Sequence, residues 1–83
     1  MAVDRKYGSV TVEREPGNVL NGTDEPVFVI RARDFAAVST LYDYQSNARF
    51  EGCGEDHIDM VNDTITDFEE WQKAHPKRLK IPD

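Results

Sequence analysis

The sequence predicts an α+β fold in the order β-β-α-α, with an antiparallel hairpin packed on two antiparallel helices. Two observations support this prediction: apolar residues alternate in two stretches of the first 33 positions, and they recur with helical spacing in residues 35–74. A chain of 83 residues is long enough for one hydrophobic core and too short for two domains. We therefore expect residues 1–83 to form a single domain, with a core in residues 6–75 and a basic tail in 76–83.

The first strand is predicted over residues 7–13, where Val10 and Val12 share one face and polar side chains share the other. Residues 14–25 contain the proline, glycine and asparagine residues that are typical of turns. They predict a long hairpin loop, within which a third short strand remains possible.

The second strand is predicted over residues 27–33, directly after Pro26. One face of it carries Phe28, Ile30 and Ala32, and the other carries Val27, Val29, Arg31 and Arg33. A strand that is apolar on both faces is usually central in a sheet or covered on its second side. Residues 14–25 or a second copy of the chain could provide that cover. Because a small domain hides surplus apolar area with difficulty, the sequence favours a homo-oligomer.

Two helices follow. Asp34 suits a helix N-cap, and the first helix is predicted over residues 35–50, with a glycine of the following Gly52-Cys53-Gly54 as its C-cap. Its apolar stripe consists of Ala37, Val38, Leu41, Tyr44 and Ala48. The second helix is predicted over 56–74, and Pro76 ends it. Its buried stripe consists of Ile58, Val61, Ile65 and Phe68.

The charge is distributed unevenly. The formal net charge is −6, and residues 34–75 alone carry ten acidic and two basic side chains. We call the five carboxylates that recur at spacings of three and four opposite the apolar stripe of the second helix the acidic row: Asp56, Asp59, Asp63, Asp67 and Glu70. The acidic balance argues against direct nucleic-acid binding, which depends on neutralising phosphates. We also expect no membrane span, no secretory signal and a cytoplasmic location, since the apolar stretches are short and Cys53 has no disulfide partner.

The order of these segments is familiar. Lys6-Tyr7-Gly8, then Glu25-Pro26-Val27-Phe28 with Arg31-Ala32-Arg33-Asp34, then Trp71-Gln72 and the closing Lys80-Ile81-Pro82-Asp83, resembles small uncharacterised accessory proteins of actinobacterial phages of the mycobacteriophage type. The resemblance covers most of the chain. It implies a small accessory protein that acts in the host cytoplasm, and it brings no catalytic motif with it.

The residue types that carry chemistry are sparse. Cys53 and His57 are four residues apart, and His75 is the other imidazole, which leaves the chain short of the ligand set that zinc needs. Cys53 also lacks an evident orienting partner for nucleophilic catalysis. The sequence therefore predicts no catalytic residue, no cofactor and no metal site.

Large side chains at the edges of the apolar stripes either complete the core or form a partner-binding surface. On the second interpretation that surface consists of Val27, Val29, Tyr42, Tyr44, Met60 and Trp71. We expect a non-enzymatic interaction protein that binds itself and a host protein. The alternative is a DNA-mimic inhibitor of a nucleic-acid-binding host protein, which would use the acidic row, although a solvated helix face is the simpler interpretation of that row. A small enzyme or metal protein is the least supported class.

Overall fold

A short β-hairpin and two helices make up the regular structure of the computed structural model, which describes residues 2–12 and 23–81. In chain order the elements are β1 (Ala2–Asp4), β2 (Gly8–Val10), α1 (Ala37–Phe50), α2 (Glu55–Ala74) and a 3-10 turn at Pro76–Arg78. The predicted α+β class and the β-β-α-α order are confirmed. Most of the predicted loop or third strand at 14–25 lies outside the described residues.

The hairpin pairs β2 with the extreme N-terminal segment. The two strands are antiparallel, with Val3 opposite Ser9 and Asp4 opposite Gly8. Gly8 has a φ of 78°, the left-handed conformation that lets a three-residue loop reverse the chain. The prediction of a strand near residues 7–13 is thus met in part, but its partner strand is β1, which the alternation pattern did not reveal.

Residues 27–33 do not form the predicted second strand. The segment touches β1 at a parallel bridge between Val3 and Pro26, and the backbone ladder goes no further. The next amide on that side, the N–H of Val29, donates to the carboxylate of Asp4 at 2.8 Å. A side chain therefore occupies the hydrogen-bonding position that a neighbouring strand would need.

The same segment then turns instead of continuing in an extended conformation. The N–H of Asp34 donates to the carbonyl of Arg31 at 3.0 Å, which closes a turn just before the first helix. The predicted burial of Phe28 on a sheet face is wrong, because 85% of this residue is exposed. Val27 and Ile30 are half-buried.

Helix α1 begins two residues later than expected. Asp34 is not its N-cap: the Asp34 carboxylate accepts a 2.7 Å hydrogen bond from the N–H of Ala36, and the helix starts at Ala37. The predicted apolar stripe also needs one correction. Tyr44 is exposed, and the residue that turns inward is Gln45. Its amide donates to the carbonyl of Ile58 at 3.3 Å, and to the side-chain oxygen of Asn62 at 2.8 Å.

The connection between the helices confirms the predicted glycine C-cap. Gly52 has a φ of 85°, and its N–H donates to the carbonyl of Arg49. The N–H of Cys53 donates to the carbonyl of Ala48 at 3.0 Å. These two bonds form a Schellman motif, which satisfies the last carbonyls of α1 and directs the chain back along α2.

The core lies between the two helices. Its buried apolar members among the described residues are Ala37, Ala48, Ile58, Val61 and Ile65. Three of the four residues predicted for the stripe of α2 are therefore buried, and the fourth, Phe68, is half-buried. Spacings of three and four place these side chains on one face of a helix, as expected for burial against a single neighbour.

We expect Ile65→Ala to lower the free energy of unfolding by about 2–5 kcal/mol, because Ile65 is 2% exposed and its truncation leaves a cavity. Asp63→Ala, two residues earlier on the exposed face, should change it by no more than about 0.5 kcal/mol. Urea unfolding followed by circular dichroism measures both values. Similar losses for the two variants would contradict this assignment of faces.

Candidate functional site

The carboxylate of Asp4 organises the N-terminal side of the candidate site. One of its oxygens accepts hydrogen bonds from the backbone N–H groups of Lys6 and Tyr7, at 2.7 and 2.8 Å. Its other oxygen accepts the N–H of Val29 at 2.8 Å, a bond that spans 25 positions of the chain. Asp4 is 2% exposed. A buried side chain thus holds the hairpin loop and the 27–33 segment together.

These contacts also shift the titration of Asp4. Hydrogen bonds from the N–H groups of Tyr7 and Val29, followed by the Lys6 backbone and the Lys6 charge, lower the pKa of the carboxyl below its ordinary value. Burial acts in the opposite direction but is outweighed. Asp4 therefore stays ionised to a lower pH than an ordinary aspartate does.

Helix α2 and the C-terminal segment hold the other end of the 27–34 region. The side-chain amide of Gln72 donates to two carbonyls, those of Ala32 at 2.9 Å and Asp34 at 3.2 Å. The backbone N–H of Lys80 donates to the carbonyl of Arg33 at 2.9 Å. The tail, which showed no periodicity in the sequence, is thus paired in parallel with residue 34.

A groove of about 220 Å³ lies between these two anchor points. We call it the cationic groove, and it is lined by Asp4, Lys6, Tyr7, Phe28, Val29, Arg31, Arg33, Asp34 and Lys80. Four of these side chains are basic and two are acidic, so the lining carries a net positive charge in a protein whose own net charge is −6. Phe28, Val29 and Tyr7 contribute exposed apolar surface to the same groove.

A second, shallower depression of about 270 Å³ adjoins the groove, because Arg31 and Arg33 line both. Its remaining lining is Ala32, Trp71 and Arg78. The guanidinium carbon of Arg78 lies 5.0 Å from the centre of the Trp71 ring, within cation–π range. The ring of His75 stacks on the same indole with a centroid distance of 4.4 Å.

The residues that the sequence predicted as one partner-binding surface lie on several different elements of the structure. Val29 lines the cationic groove and Trp71 lines the adjoining depression. Tyr42 and Tyr44 are exposed on α1, and Met60 is exposed on α2. Val27 is half-buried beside β1.

The acidic row is exposed at every position predicted for it, over about four turns of α2. Within residues 2–12 and 23–81, no three histidine, cysteine, aspartate or glutamate side chains come close enough to share a metal ion. Cys53 is exposed in the connection between the helices. The Nε2 atom of His57 lies 2.8 Å from the hydroxyl of Tyr44, and Nδ1 of His75 lies 2.9 Å from the carbonyl of Trp71.

Comparison with known proteins gives no assignment: no family model, no curated protein and no solved structure shows significant similarity to the chain. None of the helices in the part of the chain that the structure describes combines the length and the hydropathy needed to cross a membrane.

Sequence reasoning did not find the cationic groove as a site. Its basic residues are distant in sequence, from Lys6 to Lys80, and the region that contains most of them has no net charge. One local signal was present. Val29, Arg31 and Arg33 are two residues apart, which places their side chains on one side of an extended chain, and all three line the groove although the segment is not a strand.

The lowered pKa of Asp4 predicts a contribution to stability that depends on pH. Because the folded-state pKa is below the unfolded one, the contribution is fully present above about pH 4 and is lost as the pH falls through the folded-state value. Asp4→Asn should lower the melting temperature at pH 7, since an amide NH₂ must then face backbone donors.

Thermal melts of wild type and Asp4→Asn at a series of pH values test this point. The difference between their melting temperatures should shrink from pH 4 downward, whereas the other carboxyl groups contribute equally to both proteins. A difference that stays constant down to pH 2 would show that the Asp4 carboxylate is not preferentially stabilised in the fold.

Proposed function

We propose that this is a non-enzymatic interaction protein that binds a partner protein through the cationic groove. The observation that carries the proposal is Phe28, an aromatic side chain that is 85% exposed in the lining of a groove with four basic residues. Covering such a side chain is worth about 1.5–3 kcal/mol. Aromatic and arginine side chains are also the most frequent centres of binding energy in protein interfaces.

The chemistry of the lining favours an acidic protein segment as the ligand. Arg31 and Arg33 present planar guanidinium groups, which pair well with carboxylates. Tyr7, Phe28 and Val29 offer apolar contacts beside those charges. A nucleic acid fits less well, because the acidic row and the net charge of −6 would repel its phosphates at long range. If the resemblance to phage accessory proteins holds, the partner is a protein of the bacterial host and the site of action is its cytoplasm.

The test is affinity capture from host lysate with Phe28→Ser and a matched control, Phe50→Ser. Phe50 is 87% exposed, and it is the last residue of α1. The helix places it about 20 Å from Ala37, the first residue of α1, and from the groove residues that adjoin Ala37. For the partner captured by wild type, Phe28→Ser should weaken binding at least about tenfold, as expected at an interface centre, and Phe50→Ser should leave it unchanged. Equal binding by all three proteins would exclude the groove as the docking site.

A second candidate function follows from the exposure of all five residues of the acidic row. Five carboxylates on successive turns of α2 could imitate the phosphates of a nucleic acid and occupy a basic host protein. In that case Asp63→Asn with Asp67→Asn should weaken capture, and Phe28→Ser should not. Glu69→Gln is the matched control, because Glu69 is exposed on the same helix but about 100° around it from Glu70. Competition by duplex DNA for the captured partner would further favour mimicry.

A further inference from the structure

We propose that the cationic groove binds the acidic row of a second copy of this protein, so that copies associate head to tail. This inference rests on the proposed function, because it names one specific occupant for the same groove. It differs from a twofold dimer in that each contact joins two different surfaces.

Charge complementarity is the first support. The groove and the adjoining depression form one continuous basic surface, since Arg31 and Arg33 line both. Its basic members are Lys6, Arg31, Arg33, Arg78 and Lys80, against the two carboxylates of Asp4 and Asp34. The acidic row offers five exposed carboxylates on a single helix face. Opposite charges of this number on the two surfaces favour association and orient the partners.

An apolar contact accompanies the charges. Met60 lies at the edge of the acidic row, four residues after Asp56 and three before Asp63, and it is 54% exposed. The groove presents Phe28, and a methionine sulfur makes favourable contacts with an aromatic ring. The row thus combines carboxylates with one apolar side chain, as the groove combines cations with an exposed aromatic ring.

The geometry of such a contact determines the assembly. Because the groove of one copy meets α2 of the next, every open assembly keeps one unoccupied groove and one unoccupied acidic row. Association of this type continues into chains or closes into rings. If the groove is blocked on one copy and the row on another, one productive contact should remain. Association should then end at two molecules.

The experiment uses two charge-reversal variants of the full chain. The first, Arg31→Glu with Arg33→Glu, reverses two charges of the cationic groove and leaves the acidic row unchanged. The second, Asp63→Lys with Asp67→Lys, reverses two charges of the acidic row and leaves the cationic groove unchanged. Sedimentation equilibrium at about 20 mM salt and about 0.1 mM protein measures the mass of each variant alone and of an equimolar mixture. We expect wild type to exceed the monomer mass, each variant alone to be monomeric, and the mixture to form a 1:1 heterodimer.

Salt and matched variants provide the controls. About 0.5 M salt should reduce wild-type association at least tenfold, because the contact depends on exposed charges. Asp43→Lys with Glu69→Lys changes the net charge as much as the row variant, but at exposed positions outside the row, and should associate as wild type or more strongly. If the groove variant loses its helical circular dichroism, Phe28→Ser replaces it, since that side chain is largely exposed.

Three results would overturn the inference: a monomeric wild type at low salt, undiminished self-association of either reversal variant, or a mixture that stays monomeric. None of these results measures the capture of a host partner through Phe28. The proposed function is therefore tested independently, by affinity capture.

Discussion

Backbone amides and carbonyls that leave water need hydrogen-bond partners. The segment from residue 23 to 35 belongs to no helix or named strand, and it finds such partners in several other parts of the chain. Near its start it exchanges two hydrogen bonds with Val3, of 2.9 and 3.0 Å. Farther on it relies on the carboxylate of Asp4, the amide of Gln72 and the backbone of Lys80. These partners come from three different parts of the chain: β1, α2 and the C-terminal tail. The hairpin, the second helix and the tail are therefore joined through this one irregular segment.

Local patterns predicted the helical half of the molecule well. The spacing of Ile58, Val61 and Ile65 was enough to predict a helix and its buried face. A helix forms its backbone hydrogen bonds within itself, so it needs a neighbour only to cover its apolar face. The Schellman turn at Gly52 is equally local. Gln45 shows the limit of this reasoning. This polar residue lies outside the predicted apolar stripe and is nevertheless buried, because the oxygens of Ile58 and Asn62 accept hydrogen bonds from its amide.

The non-helical half could not be predicted in the same way. Whether an alternating segment becomes a strand depends on a partner elsewhere in the chain, and residues 27–33 meet a carboxylate where the next strand would lie. The candidate site has the same origin. Lys6, Arg31 and Lys80 become neighbours through long-range hydrogen bonds, so no window of sequence contains the site. The alternation of Arg31 and Arg33 was the one sign of the site in the sequence, and without the fold it indicated only the polar end of a strand face.

The stacking of Trp71 with His75 and Arg78 has a practical consequence. Trp71 is the sole tryptophan of the chain, and it lines the depression that shares two arginines with the cationic groove. Its indole is half-buried and lies close to both a guanidinium group and an imidazole. Anything that enters the depression changes the polarity around that ring and competes for its cationic neighbour. Tryptophan fluorescence of the protein therefore comes from Trp71 alone. It reports on the edge of the candidate site without an added label.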